Sequence, residues 1–320
     1  MPVAIPKRRF PGDRVARAAW CARLLVALAI PWLAAGALLA GGCAHARPGE
    51  RVVYHEESDH YGIWVIERDD TRYLRFARDG INQTAVRLGD PTWLEFTYTR
   101  ALTAAFAIAQ SKASVLIIGL GGGTIPMFLR RVMPDAAIDV VEIDPRVAAV
   151  AQAQLGFTPD AKLHVQIADG RRFIETSDAR WDVIVLDAYG ADAIPPTLAT
   201  REFLAAVRAH LTPGGLVAAN VWAETANPVY PSMLRTYEDV FSEVHVIRGQ
   251  DSASRIVVAP RGTPGWDGAA FERAAATLAT VWTLRFELGA IVRYGYEAPG
   301  THPGGGSVLR DPTPTSAAPP

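Results

Sequence analysis

The stretch VLIIGLGGGTIPMFLRR, residues 115–131, decides the fold. Val115 to Ile118 form a short apolar run rich in β-branched residues, as a strand buried on both faces requires. Gly119, Gly121, Gly122 and Gly123 follow, and then a run with helical spacing. Glycines let a chain turn sharply and approach a ligand closely, while a helix N-terminus offers unpaired N–H groups to a polar or anionic moiety. The loop is not a dinucleotide fingerprint, because Thr124 stands where Gly-x-Gly-x-x-Gly needs its last glycine. It is not a phosphate-binding P-loop either, because no Gly-Lys-Ser/Thr follows. Taken alone, a turn that only packs helix on strand explains it equally well.

The neighbouring segments change that balance. IDVVEID, LHVQIAD, DVIVLD and LVAANVW are further strand-like runs separated by helical stretches, and VHVIRG and RIVVAP follow with no helix between them. This pattern predicts an α/β fold: a mainly parallel sheet with helices on both faces, closed by a C-terminal antiparallel hairpin, with ligands at the carboxyl ends of the strands. Three of the strands end in acids. Glu142 stands where a carboxylate accepts hydrogen bonds from ribose hydroxyls, Asp169 with Gly170 where one can meet an adenine amino group, and Asp187 ends the next strand. A single strand-terminal acid is usually a helix cap or turn residue. Three in succession after a glycine loop point to a nucleoside-containing cofactor lying across the strand ends.

Upstream, residues 51–89 alternate apolar and polar positions in runs such as YGIWVIE and TRYLRFA, broken by RDD and RDG, which predicts a small antiparallel β domain over residues 50–90. Trp64, Tyr61 and Tyr73 in it read as cross-strand packing in preference to a pocket lining. The α/β domain then spans residues 91–298. The last segment, residues 299–320, is rich in Pro, Gly, Ser and Thr and predicts a disordered tail.

The 320 residues are 49% hydrophobic with a formal net charge of -1, enough apolar matter for a full core and without the basic surplus of a nucleic-acid binder. Cys21 and Cys43 both precede the folded region, which excludes an internal disulfide or a Cys-based zinc site there, and no His spacing suggests a metal. Residues 1–43 carry Lys7, Arg8, Arg9, Arg14, Arg17 and Arg23 ahead of the uncharged run LLVALAIPWLAAGALLAGG and Cys43. This order predicts a signal peptide with a lipoprotein-like end, or an uncleaved single N-terminal transmembrane anchor, and either reading exports the following domain to the far side of a membrane. An apolar helix of a cytosolic protein is the third reading.

With these motifs in place, the chain resembles the spermidine synthases, or polyamine aminopropyltransferases, built on the Rossmann-like fold of S-adenosylmethionine-dependent methyltransferases. The resemblance runs from about Tyr54 to Pro260 and rests on VLIIGLGGG, VVEIDPRV, IADGRRFI, WDVIVLDAYGADAIP, TREF and LTPGGLV, with DGINQT and LEFTYTR upstream. It implies a transferase of polyamine-biosynthesis type that moves an aminopropyl group from decarboxylated S-adenosylmethionine to a small amine acceptor without a metal. It implies that Glu142 binds the cofactor ribose, Asp169 the adenine, and that Asp187 helps deprotonate the attacking amine. Gly119, Gly121 and Gly170 fall in the cofactor segments, and Gln83 and Tyr98 where the family places residues over cofactor and acceptor. Three positions depart from the family. Gly122 stands for the loop Asp, Gly190 for the second acid of the DSSDP segment, and Thr99 for a glutamine. A dicationic acceptor needs carboxylates to offset its desolvation and accept a proton, so the departures leave open Asp192 or Glu95 as substitutes, methyl transfer from S-adenosylmethionine, or an exported binding module that keeps the fold without the chemistry. Oligomeric state stays open between a monomer and a homodimer.

Overall fold

A computed structural model describes residues 49–190, 193–250, 252–262, 265–301 and 305–313. The predicted leader, residues 1–43, lies outside them, as does Asp192. The N-terminal part is a meander of four antiparallel strands, β1 (Arg51–Glu57), β2 (Gly62–Arg68), β3 (Thr71–Arg75) and β4 (Asn82–Arg87), in sequential order. The β2–β3 hairpin turns at Asp69, whose φ of 55° is the left-handed conformation that a tight hairpin turn demands and that Asp tolerates. Ile63, Val65, Leu74 and Phe76 of this sheet pack on Val147 and Val150 of α3 (Pro145–Gln154), so the sheet seats on the α/β part through a continuous apolar contact.

After α1 (Thr97–Thr103), strands and helices alternate: β5 (Ser114–Ile118), α2 (Thr124–Val132), β6 (Ala137–Glu142), α3, β7 (Leu163–Ile167), α4 (Gly170–Thr176), β8 (Trp181–Leu186), α5 (Arg201–Ala209) and β9 (Leu211–Trp222). Then come α6 (Tyr230–Val240), β10 (His245–Arg248), β11 (Ser254–Pro260), α7 (Gly268–Val281), α8 (Leu288–Gly295) and the short β12 (Tyr296–Glu297). The eight-stranded sheet has the order β12-β10-β11-β9-β8-β5-β6-β7. Strands β5 to β9 pair in parallel, and β11 enters antiparallel between β9 and β10. The mainly parallel sheet, the antiparallel hairpin at its C-terminal side and the preceding antiparallel sheet agree with the sequence reading.

Strand β5 shows why both faces are covered. Its side chains alternate: Val115 and Ile117 join Phe106, Phe128, Phe271 and Leu288 on one face, while Leu116 and Ile118 join Ile174, Phe203, Leu204 and Met233 on the other. The sequence order reverses between β5 and β8, and there the loops leaving the two strands diverge to opposite faces and open a crevice.

Within the segment expected to be a disordered tail, residues 305–313 are described and have a seat on the helices. Residues 305–313 run extended along α5 and α6, with the Ser307 amide donating to Ser232 Oγ and the Leu309 amide to Thr236 Oγ1. The Arg201 amide, unpaired at the start of α5, donates to the Leu309 carbonyl. Asp311 accepts from Arg171 with both oxygens, at 2.7 and 2.5 Å, and Leu309 packs into the core beneath. The composition of the segment predicts no core of its own. It instead satisfies polar groups that the helices leave open and adds one apolar side chain to theirs.

Candidate active site

Strand register brings the site together. Ile118 pairs with Val141 on one side and with Leu186 on the other, and Leu186 pairs with Ala219. The next residues, Glu142, Gly119, Asp187 and Asn220, therefore form one row across the C-terminal ends of β6, β5, β8 and β9. The row borders a cavity of about 470 Å³ whose wall holds all eight residues singled out in the sequence: Gln83, Tyr98, Gly119, Gly121, Glu142, Asp169, Gly170 and Asp187.

Gly119 makes the row possible. Its φ is 102°, in the region that favours glycine, and a Cβ there would lie 2.4 Å from the Asp187 carbonyl oxygen. Glu142 is buried and pins the loop: its Oε2 accepts the Leu120 amide and its Oε1 the Asp144 amide, both at 3.0 Å. Burial pushes its carboxyl up from the ordinary range, against the opposing pull of those amides. Asp169 is the N-cap of α4, its Oδ1 accepting the Arg172 amide at 2.8 Å, so the capping role and the cavity position coexist in one side chain.

Asp187 is held from two sides. Oδ1 accepts from Asn220 Nδ2 at 2.8 Å, and Oδ2 accepts a longer bond from the Tyr98 hydroxyl at 3.4 Å. Burial pushes its carboxyl up to about 6, with both hydrogen bonds acting in the opposite direction. The Tyr98 phenol is pushed well up, first by burial and then by the nearby Asp187 charge, so it stays a donor. An acid near 6 is ionised at pH 7 yet basic enough to take a proton.

Four further wall residues escaped the sequence reading as site groups. Asn220, in the apolar run of β9, had a signal in being a lone amide there. Tyr189 donates to the Asn220 carbonyl at 3.0 Å and stacks on Trp222 with ring centroids 4.9 Å apart. Tyr61 lines the cavity while stacking on Phe76 at 3.7 Å, whereas Trp64 stacks on His55 and Tyr73 packs in the β sheet, so the packing assignment holds for two of the three. Of the proposed substitute acids, Glu95 accepts from Trp93 Nε1 at 2.8 Å and lines a small adjoining pocket with Asp187. Gly190 lines the main cavity and donates its amide to the Ala193 carbonyl.

Gly122 faces the N-terminal sheet. Its amide donates to Thr84 Oγ1 at 2.9 Å, and a Cβ would lie 2.6 Å from Thr84 Cγ2 and 2.9 Å from Leu155 Cδ1. Installing the family acid by Gly122→Asp is expected to cost about 1–3 kcal/mol of stability, because the extra atoms have no room. Denaturant unfolding measures that loss, and adding Thr84→Ser, which removes the nearest methyl group, is expected to restore part of it.

Buried polar atoms test whether an adenosyl ligand fits. Gln83 Nε2, a donor, and Asn220 Oδ1, an acceptor, have no partner among the described residues, and both side chains line the cavity. Buried polar groups are normally satisfied, so the wall fits a ligand with both acceptors and donors, as a nucleoside has. Among the described residues no cluster of His, Cys, Asp and Glu could hold a metal ion.

The spermine/spermidine synthase domain model matches residues 95–247. The chain is 32% identical over 218 residues to the polyamine aminopropyltransferase of Vibrio vulnificus, covering 66% of this chain and 72% of that protein. It is 29% identical over 187 residues to the eEF1A lysine and N-terminal methyltransferase of Homo sapiens, covering 52% of this chain but 27% of that protein. The crystal structure of a probable spermidine synthase from Corynebacterium glutamicum superposes with a TM-score of 0.65 at 22% identity, over 84% of this chain and all of that one, which shows the shared fold. Matched by the domain model, and by an aminopropyltransferase over most of that enzyme's length, the chain belongs to the spermine/spermidine synthase family.

Proposed function

We propose that the protein transfers the aminopropyl group of decarboxylated S-adenosylmethionine to an amine. One observation carries the choice of donor. The described residues lining the cavity include the three carboxylates Glu142, Asp169 and Asp187 and no Lys or Arg. Decarboxylated S-adenosylmethionine bears a sulfonium and an ammonium but no carboxylate, so it suits an acidic wall. S-adenosylmethionine brings a carboxylate, for which the described wall offers no Lys or Arg and, as a basic side chain, only His60. When bound, the donor supplies a carbon attached to sulfonium, and its thioether leaves readily.

The protein's task is then positioning and removal of one proton. Glu142 fixes the loop and would hold the ribose, Asp169 and Gly170 would hold the base, and Gln83 and Tyr98 would hold the reacting end. Asp187 Oδ2 takes the proton released as the amine nitrogen forms its new C–N bond, while Asn220 keeps the carboxylate oriented through Oδ1.

Thermal unfolding of the full chain against three ligands tests this, since a ligand of the native state raises its stability by about 2.7 kcal/mol at a hundredfold excess over Kd. Decarboxylated S-adenosylmethionine is expected to shift the transition more than S-adenosylmethionine, with methylthioadenosine also active. The reverse order supports methyl transfer, which the methyltransferase relatives and Gly122 favour. No shift from any of the three supports a binding module that keeps only the fold. The leader adds a second proposal, export with lipidation at Cys43 or anchoring by an uncleaved helix, resting on its charge order. A reporter fused after Cys43 and lipid labelling of that residue test it, and a cytosolic reporter overturns it.

A further inference from the structure

We infer that the acceptor carries an anionic group at the end opposite its reacting amine, held in a second, arginine-lined cavity beside the first. This deepens the aminopropyl-transfer reading and rests on it. The second cavity, about 640 Å³, lies between α1, the β10–β11 turn and α8. The two cavities share Thr97 and Ser252 in their walls, and Thr97 Oγ1 donates to the Gln250 carbonyl at 2.6 Å, tying α1 to the turn where they meet.

Among the described residues the charges of the two walls are opposite. The first is acidic. The second holds Arg100, Arg248 and Arg255 against one carboxylate, Glu287, among its described residues. Arg248 is already committed to Glu297, with Nε 3.3 Å from Oε1. Arg100 and Arg255 have no ion-pair partner among the described residues. Arg100 donates to the Leu94 and Glu95 carbonyls, and Arg255 to the Ser252 and Ser254 carbonyls. Carbonyl partners fix a guanidinium in place without neutralising it, and a half-buried positive charge so fixed favours a carboxylate or phosphate over any cation.

This pairing gives a reason for the departure at Gly190, which lines the first cavity. A diamine presents a second ammonium that needs acids along its path. An acceptor with an amine at one end and an acid at the other needs one base, Asp187, and a cationic site further on. The arginines reject the diamine, because like charges brought together in a partly desolvated site repel.

Calorimetry on the full chain saturated with methylthioadenosine tests this, using ω-amino carboxylates and α,ω-diamines of three to eight carbons as probes. The expected result is that one amino carboxylate binds at least about tenfold tighter than the diamine of equal length, and that Arg255→Gln removes this preference. Wild-type-like cooperative unfolding of Arg255→Gln shows that its fold is intact, and Arg100→Gln gives an independent repeat. Tighter binding of the diamines, binding of neither series, or an unchanged preference in both variants overturns the inference. Failure of methylthioadenosine itself to bind, read separately in the absence of acceptor, counts against the aminopropyl-transfer reading instead.

Discussion

Asp187→Asn is expected to lower kcat by about 10²-fold or more, because the variant keeps the size and shape of the side chain but cannot take the proton. The affinity for methylthioadenosine, which does not react, is expected to stay within about twofold. The pH profile makes the assignment specific. The Asp187 carboxyl is pushed up to about 6, so in the parent protein kcat/KM falls as pH drops below that value. In the variant that acidic limb disappears. Stability carries the opposite sign. A carboxyl ionises near 3.9 in the unfolded chain but only near 6 in the folded one, so the unfolded state gains relative to the native state as pH rises between these values. The variant escapes that penalty. It should melt above the parent at pH 8, and the gap should close towards pH 4. An unchanged kcat, or a gap that widens on acidification, removes Asp187 from the role of base.

Gly119→Ala is expected to be the most destabilising single substitution at the site, costing about 3 kcal/mol. Two effects add: a left-handed φ that alanine rarely adopts, and a methyl group driven into backbone. The nearest atom is the Asp187 carbonyl oxygen, so the strain is relieved only by moving β5 or the chain that carries the base. A base displaced by about 1 Å can cost two orders of magnitude in rate. The variant should therefore lose activity even under conditions where it remains folded. Guanidinium unfolding gives the first number, and turnover well below the melting temperature gives the second.

The central sheet is legible in the sequence because its strands are buried on both faces. VLII and DVIVL leave little room for a helical or half-exposed alternative, and the acids that end the strands mark where burial stops. Glu142, Asp169 and Asp187 could be named for the same reason. Tyr61, in the turn before β2, and Asn220, inside β9, cannot be placed at the site in the same way, because where they point is set by elements far away in sequence. Tyr61 looks like another aromatic of a β meander until the sheet is laid on α3. Asn220 is fixed by the Leu186–Ala219 register, which no local pattern announces. The seat of residues 305–313 is not legible in the sequence because its partners, Ser232, Thr236 and Arg171, belong to helices far away in sequence. Composition speaks only to whether a segment can build its own core. It is silent on whether another element offers it a seat.

The contact between Thr84 and the glycine loop bears on how this protein can be divided. The region matched by the family's domain model begins at residue 95, yet Tyr61, Phe76, Gln83 and Thr84, which help wall the cavity, all come earlier. A fragment starting at residue 91 would keep every strand of the larger sheet and lose the roof of its own cavity. The four-stranded meander is thus a part that can be exchanged but not omitted. A chimera carrying a relative's meander would have to bring a matching residue 84 with it, and would inherit that relative's view of the acceptor.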